Sequence, residues 1–433
     1  MSIKRFLLLS LFWMFSTFPA LVLSTSSQAA PAIMLPDSSF DLQITSYLAI
    51  FEDKTNSLTI DDILTRSAQY KFNSHHDDNL RFGLTSSHYW LRFSITNPHP
   101  DDQSLVLSIS DNSLENINFY EYKAGQLYHQ SSGALTKYKA QGSQRQAYPF
   151  LIKLEAKKNQ TYFIKINSKN AINSIVRLQS NDQFLQSQQF EFTVLGVALG
   201  WVLATAAFFM FIWHFYRFHI TLISALYCIS IFIFIPSFQG QWATWFPQSQ
   251  IWKNEITLIS VMASVVLQIL LTLKLNWTTD NTRNIKRCLK TLLVFNVATT
   301  LIYLFLPSGV MSLLSLSTIV ISNIVLIFIL LFAKSEHERA QFFLLIGHNV
   351  IAFGILLSIL TTHNFLAFDF LHAWAAIILP LTMIICTIFA NLSVIKLYRE
   401  KREQQVNSSD IILPELLAKL GHEFRTPING VMG

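Results

Sequence analysis

Seven stretches of the chain, about 192–213, 219–238, 256–275, 288–306, 309–333, 340–361 and 372–395, are apolar runs. Each is close to the roughly 20 residues a helix needs to cross a bilayer. No other feature restricts the fold as strongly, because backbone exposed to lipid must satisfy its own hydrogen bonds, and a single run of this length does so as a helix. The loops after odd-numbered runs carry Arg217; Lys274, Arg283, Lys286, Arg287 and Lys290; Lys334 and Arg339; and Lys396, Arg399, Lys401 and Arg402. The opposite loops carry only Lys253. Twelve basic residues against one put the odd-numbered loops and the segment after the seventh run in the cytoplasm. Trp242, Trp245 and Trp252 stand where interfacial anchors belong.

A chain that is 51% apolar and only 13% charged is too hydrophobic for a soluble multidomain protein. Its net charge of +6 is dispersed or serves the loop bias, so no nucleic-acid partner is expected. Cys228, Cys288 and Cys386 all lie in or beside the apolar runs and define neither a disulfide framework nor a metal site. His75-His-Asp-Asp78 reads as a solvated polar loop, and no metal is expected.

Ahead of the membrane region, Lys4 and Arg5, the apolar run Phe6 to Leu23 and the small-residue stretch Ser24 to Ala30 have the layout of a signal peptide, residues 1–29. An uncleaved anchor is the other reading. Both export residues 30–187. From Tyr89 the apolar period becomes two: Tyr89, Leu91, Phe93 and Ile95; Leu105, Leu107 and Ile109; Phe150, Ile152 and Leu154; Tyr162, Ile164 and Ile166. Turn signals at 97–102, 123–125 and 157–159 separate them. The pattern predicts an antiparallel β-sandwich. Trp90 and Arg92 share the strand face opposite Leu91 and Phe93, where an aromatic plate beside a cationic fork suits a sugar or an acidic ligand. The competing reading packs Trp90 in a second layer with Arg92 paired nearby.

Within the apolar runs, Asn296, Asn323, His348, Asn349 and Asn391 are polar groups at membrane depth. They read either as interhelical hydrogen-bond glue or, for His348 and Asn349, as part of a ligand or signal path. Charged residues keep to the helix ends, against an ion-coupled transporter. Pro380 is expected to kink the seventh helix.

Phe51-Glu-Asp53, Leu58 to Ile63, Phe82 to Thr85, Tyr89 to Phe93 with Asn97-Pro98, Gly142 to Arg145 and Thr161-Tyr162 together resemble the extracellular module of bacterial seven-transmembrane receptors with diverse intracellular signalling modules. That resemblance implies a jelly-roll-like sandwich related to carbohydrate-binding domains, and an extracellular small-molecule or carbohydrate-like ligand.

After a charged connector, residues 398–412, the segment 413–433 ends in Gly421-His-Glu-Phe-Arg-Thr-Pro-Ile-Asn-Gly-Val-Met-Gly433. Leu413, Leu417, Leu420, Phe424, Ile428 and Val431 form one helical stripe. The box around His422 resembles the phosphoacceptor box of sensor histidine kinases. The resemblance implies that His422 accepts the γ-phosphoryl group of ATP, Glu423 is its acid/base partner, Thr426 orients water for dephosphorylation and Arg425 contacts phosphate or carboxylate. It also implies a homodimer, a receiver domain or response regulator as phosphoryl acceptor, and a bacterial inner membrane. These residues show no second dimerisation helix and no ATP-binding boxes. ATP and magnesium are therefore expected on a domain outside them, and the stretch alone is expected to be inactive, as a truncated sequence rather than a natural receptor-only product. The fold expectation is thus a multidomain membrane protein with a periplasmic sandwich (30–187), a seven-helix transmembrane bundle (188–397) and the α-helical start of a phosphoacceptor domain. A non-enzymatic seven-helix receptor or a transporter, signalling through a partner, is the alternative.

Overall fold

The computed structural model describes residues 32–404 apart from 66–69, 84, 111–113, 124, 134–147, 169–171, 242–252, 276, 279–281, 304, 306–307 and 363–373. The signal peptide, Gly142 to Arg145, the three interfacial tryptophans and the whole box around His422 lie outside the described residues.

Residues 32–180 form two facing sheets. One contains β1 (Ile33–Met34), β3 (Ala49–Asp53), β4 (Asn73–Ser74), β6 (His88–Thr96), β8 (Asn116–Lys123), β9 (Gln126–Ser132) and β11 (Asn159–Asn167), in the order β4-β3-β6-β11-β8-β9 with β1 parallel to β6. The other contains β2 (Asp41–Gln43), β5 (Leu80–Gly83), β7 (Gln103–Ser110), β10 (Tyr148–Leu154) and β12 (Ile172–Ser180), in the order β10-β7-β12-β2 with β5 on β12. The four alternating segments expected as strands are the cores of β6, β7, β10 and β11. Their apolar sets, Leu91, Phe93, Leu107, Phe150, Ile152 and Ile164 among them, face inward and form one core. Phe93 stacks on its cross-strand partner Tyr162, with ring centroids 5.4 Å apart.

The outer face of the larger sheet is covered too. Helix α1 (Ile60–Thr65) places Ile60 and Ile63 against Trp90, with Phe51, Tyr70, Phe72 and Tyr120 around them.

Strand β12 runs straight into α2 (Asn181–Tyr216), whose N-cap is Ser180. The expected division at 187/188 therefore falls inside a helix. At 36 residues α2 is about 54 Å long, so its first turns, rich in Gln and with Asp182 among them, stand clear of a hydrocarbon layer of about 30 Å. The bundle continues with α3 (His219–Phe238), α4 (Lys253–Leu273), α5 (Thr282–Tyr303), α6 (Ser308–Phe332), α7 (Glu338–Thr362) and α8 (Trp374–Gln404). Six of these seven helices are long and apolar enough to cross a membrane. The seventh, α5, begins with Arg283, Lys286, Arg287 and Lys290, which dilute its apolar length. Its remaining turns expose Val294, Val297, Leu301 and Ile302 outward and bury Leu289, Leu292 and Asn296 inward, as a lipid-facing helix with snorkelling basic residues does.

Candidate functional site

The β domain and the bundle meet at a joint of hydrogen bonds. Ser180 Oγ accepts from the Phe40 N–H at 3.3 Å and the Gln183 N–H at 3.4 Å, and lies 2.8 Å from Ser39 Oγ. The Ser180 N–H donates to the Phe40 carbonyl at 3.0 Å. Beside it Arg177 Nη1 reaches Asp41 Oδ2 at 3.0 Å. One side chain thus caps the first membrane helix and holds it to the chain entering β2, with no linker between the sheet and α2.

The far end of the bundle is tied just as closely. Phe218, between α2 and α3, packs its ring 5.4 Å from Tyr398 of α8, and the His337 ring lies 6.5 Å from the same tyrosine. Lys401 Nζ is 2.9 Å from Glu336 Oε2. The Thr278 N–H donates to the Lys334 carbonyl at 2.9 Å. Gln341 Nε2 donates to the Leu330 and Ala333 carbonyls, which the end of α6 would otherwise leave open. The loops after α2, α4 and α6 therefore converge, the latter two on each other and the outer two around α8, at the end of the bundle distal to the β domain. At 31 residues α8 is about 46 Å long and carries this contact past the membrane-spanning length.

Between these ends the polar groups read from the sequence divide. Asn391 Nδ2 donates to Ser224 Oγ at 2.8 Å, Asn296 Nδ2 donates to Ser322 Oγ at 2.9 Å, and Asn349 Nδ2 donates to the Leu345 carbonyl of its own helix at 2.8 Å. These are the glue. His348 and Asn323 instead line a cavity of about 200 Å³ bordered by α3, α4, α6, α7 and α8. Gln268, which sequence reasoning missed, joins them there with Tyr227 beside it. Pro380 also stands on its wall.

In the β domain the structure corrects the expected ligand plate. Trp90 is 0% exposed under α1 and stacks on Tyr120 at 5.8 Å, so its ring has no face open to a sugar. Arg92 is half-buried and sits over Phe72, 4.6 Å from the ring centroid. Lys165 Nζ sits over Trp90, 5.1 Å from the ring, and donates to the Leu58 carbonyl at 2.8 Å. Burial lowers the Lys165 pKa, against the pull of Asp53. Burial and then Lys165 also lower that of His88. Asp53 accepts from the N–H groups of Thr55, Asn56 and Leu58 and from the Thr55 hydroxyl. Its burial works against ionisation, and these four hydrogen bonds together outweigh it, so its pKa is lowered. The group is a structural clamp on the loop leading to α1.

A β-sandwich fused without a linker to a bundle of membrane-length helices defines a multi-pass membrane receptor with an external sensing domain. Two family models match the chain in succession, in keeping with a seven-helix receptor carrying an extracellular sensor. Residues 45–180 match the family described as 7TMR-DISM extracellular 2, and residues 191–390 match the family described as 7TM diverse intracellular signalling. No curated protein sequence matches the chain. Among solved structures, the isomalto-dextranase of Arthrobacter globiformis T6 complexed with panose is 19% identical, covering 23% of this chain and 17% of that one, at a TM-score of 0.14. A Paenibacillus sp. cycloisomaltooligosaccharide glucanotransferase complexed with cycloisomaltoheptaose is 14% identical, covering 35% and 20%, at a TM-score of 0.16. Scores this low carry no argument about fold or ligand.

Proposed function

We propose that this receptor is the sensing and membrane part of a bacterial inner-membrane histidine kinase in a two-component phosphorelay, with the β domain in the periplasm and the end of α8 in the cytoplasm. The observation that carries the reading is the continuity of β12 into α2 through Ser180, together with an α8 that is longer than a membrane span, makes its contacts through Tyr398 and Lys401 at the distal end, and precedes the His422 box in sequence. A stimulus that shifts the sandwich then moves α2 against its neighbours and changes how α8 presents the histidine.

In the proposed chemistry the neutral His422 imidazole attacks the γ-phosphorus of ATP, forming an N–P bond as the bond to the bridging oxygen breaks and ADP leaves. Glu423 would accept a hydrogen bond from the other ring nitrogen and stabilise the imidazolium that forms. Arg425 would pair with phosphate oxygens. The phosphoryl group then passes to an aspartate of a receiver domain, and Thr426 would orient water when the output is dephosphorylation. ATP and magnesium would be held by a catalytic domain beyond these residues, acting in a homodimer.

Membranes carrying the intact protein, incubated with γ-labelled ATP, test this. Acid-labile, base-stable label that disappears in His422→Gln is expected. Label that survives the substitution, or is acid-stable, would contradict the assignment.

A further inference from the structure

The cavity in the bundle is built in a way that simple packing does not require. Buried polar groups in a membrane interior ordinarily find a partner, because each one left open costs free energy. Here Gln268 is 4% exposed, His348 2% and Asn323 6%. Both ring nitrogens of His348 and the amide oxygen of Asn323 have no hydrogen-bond partner, and the Gln268 amide has at most the Tyr227 hydroxyl, which leaves part of its capacity open. These three side chains come from α4, α7 and α6, far apart in sequence, and all line one space. Pro380 adds to the set by covalent structure: it has no N–H to offer the carbonyl four residues back, on Ala376, which lines the same cavity. Asn391 and Asn296 use their amide donors on Ser224 and Ser322, whereas Gln268, Asn323 and His348 bring their open atoms together around one space.

Beside these the lining holds the hydroxyls of Tyr227 and of Ser264, the latter donating to the Val261 carbonyl of its own helix; the rest, including Ile231, Phe234, Val265, Ile319, Ile351 and Leu379, is apolar, and no charged side chain lines the cavity among the described residues. Apolar walls with a few convergent donors and acceptors are the general form of a small-molecule site. The absence of any cation or anion in the lining selects an uncharged ligand. Neutral imidazole and a primary amide each both donate and accept, which matches a hydroxyl group.

We propose that this cavity binds a small uncharged amphiphile, apolar over most of its length with a hydroxyl head set among Gln268, Asn323 and His348, entering from the membrane. Such a ligand would bridge α3, α4, α6, α7 and α8, and so gives the receptor a second input beside the β domain. Binding is read without any kinase output, so its outcome is independent of the phosphorelay.

The probe is octan-1-ol carrying an aliphatic diazirine, photolysed with the full chain in lipid nanodiscs. Saturable labelling of lining residues on α4, α7 or α8 is expected, competed by octan-1-ol and not by octane. Filling the cavity with Ser264→Phe should reduce the label at least tenfold, and His348→Leu should abolish the preference for alcohol over alkane. Non-saturable labelling confined to lipid-facing residues such as Phe328 and Phe332 would overturn the proposal, as would equal competition by octane, which would mark a space without head-group recognition. Should either variant fail to give a monodisperse protein, the wild-type saturation and competition still decide.

Discussion

Asn391 and Ser224, 167 residues apart in the chain, are joined across the bundle by a hydrogen bond of 2.8 Å from the asparagine amide to the serine hydroxyl. The same amide also donates to the Thr387 carbonyl of its own helix at 2.8 Å. This bond pins α8, which precedes His422 in the sequence, to α3.

Removing either partner should loosen α8. Interhelical hydrogen bonds in membranes contribute about 0.6 to 2 kcal/mol. Asn391→Leu and Ser224→Ala should each lower the apparent melting temperature in detergent, and the double variant should fall no further than the worse single one. Additive losses would show that the two residues act separately.

Glycines set how closely α7 meets α8. A Cβ on Gly354 would lie 1.9 Å from Leu379 Cδ1, and one on Gly347 would lie 2.2 Å from Met383 Sδ. Met383 is the flexible neighbour and Leu379 the more crowded one, since its Cγ and second methyl also come within 3.0 Å. Gly354→Val should therefore cost about 1–3 kcal/mol, and Gly347→Ala less. Thermal stability and engineered cross-linking between α7 and α8 check the order.

The joint at Ser180 is the third test. Ser180→Ala removes a helix cap, worth about 1 kcal/mol, and also the link to Ser39 and Phe40. Faster hydrogen exchange at the Phe40 and Gln183 amides is expected, with the core amides of β6 and β11 unchanged. Unchanged exchange at both sites would mean that the serine does not hold the joint.

Much of this was legible in the sequence, for identifiable reasons. Period-two alternation marks Leu91, Phe93 and Ile95 because one face of β6 must be dry. It says only that Trp90 faces the other way; that α1 covers it depends on Ile60 and Ile63 folding back from a separate segment. The start of α2 was missed because its first turns are polar and look like a linker; the signal available was Ser180 as a cap, with Asp182 in the first turn. Gln268 was visible as an amide inside an apolar run. Its convergence with Asn323 and His348 is a property of helix packing and is absent from any local pattern. The box at His422 lies outside the described residues, so its reading rests on sequence alone.

Glu121 supplies a pH test of the sandwich. Burial raises its pKa above 4.5; Lys123 opposes this and Glu155 adds to it. A carboxyl with a raised folded value contributes stability that is complete below the unfolded pKa and lost as pH rises through the folded one. At neutral pH it is therefore a burden. Glu121→Gln keeps the acceptor for Gln160 Nε2, and should raise the apparent melting temperature by about 1–3 °C at pH 7.5, the gain closing below about pH 4.5. A gain of equal size at both pH values would exclude ionisation as its cause.

Relay across a membrane requires an odd number of crossings, and α5 with its basic first turns decides between six and seven. Cysteines introduced one at a time at Leu151 in the β domain and at Arg402 in the last turn of α8, in a background with the exposed Cys288 replaced by serine and only the buried Cys228 and Cys386 kept, can be probed with a membrane-impermeant maleimide on spheroplasts. Labelling of Leu151→Cys in intact spheroplasts, and of Arg402→Cys only after permeabilisation, is the predicted result. Labelling of both from the outside would put the β domain and the His422 segment on one side of the membrane and contradict the account.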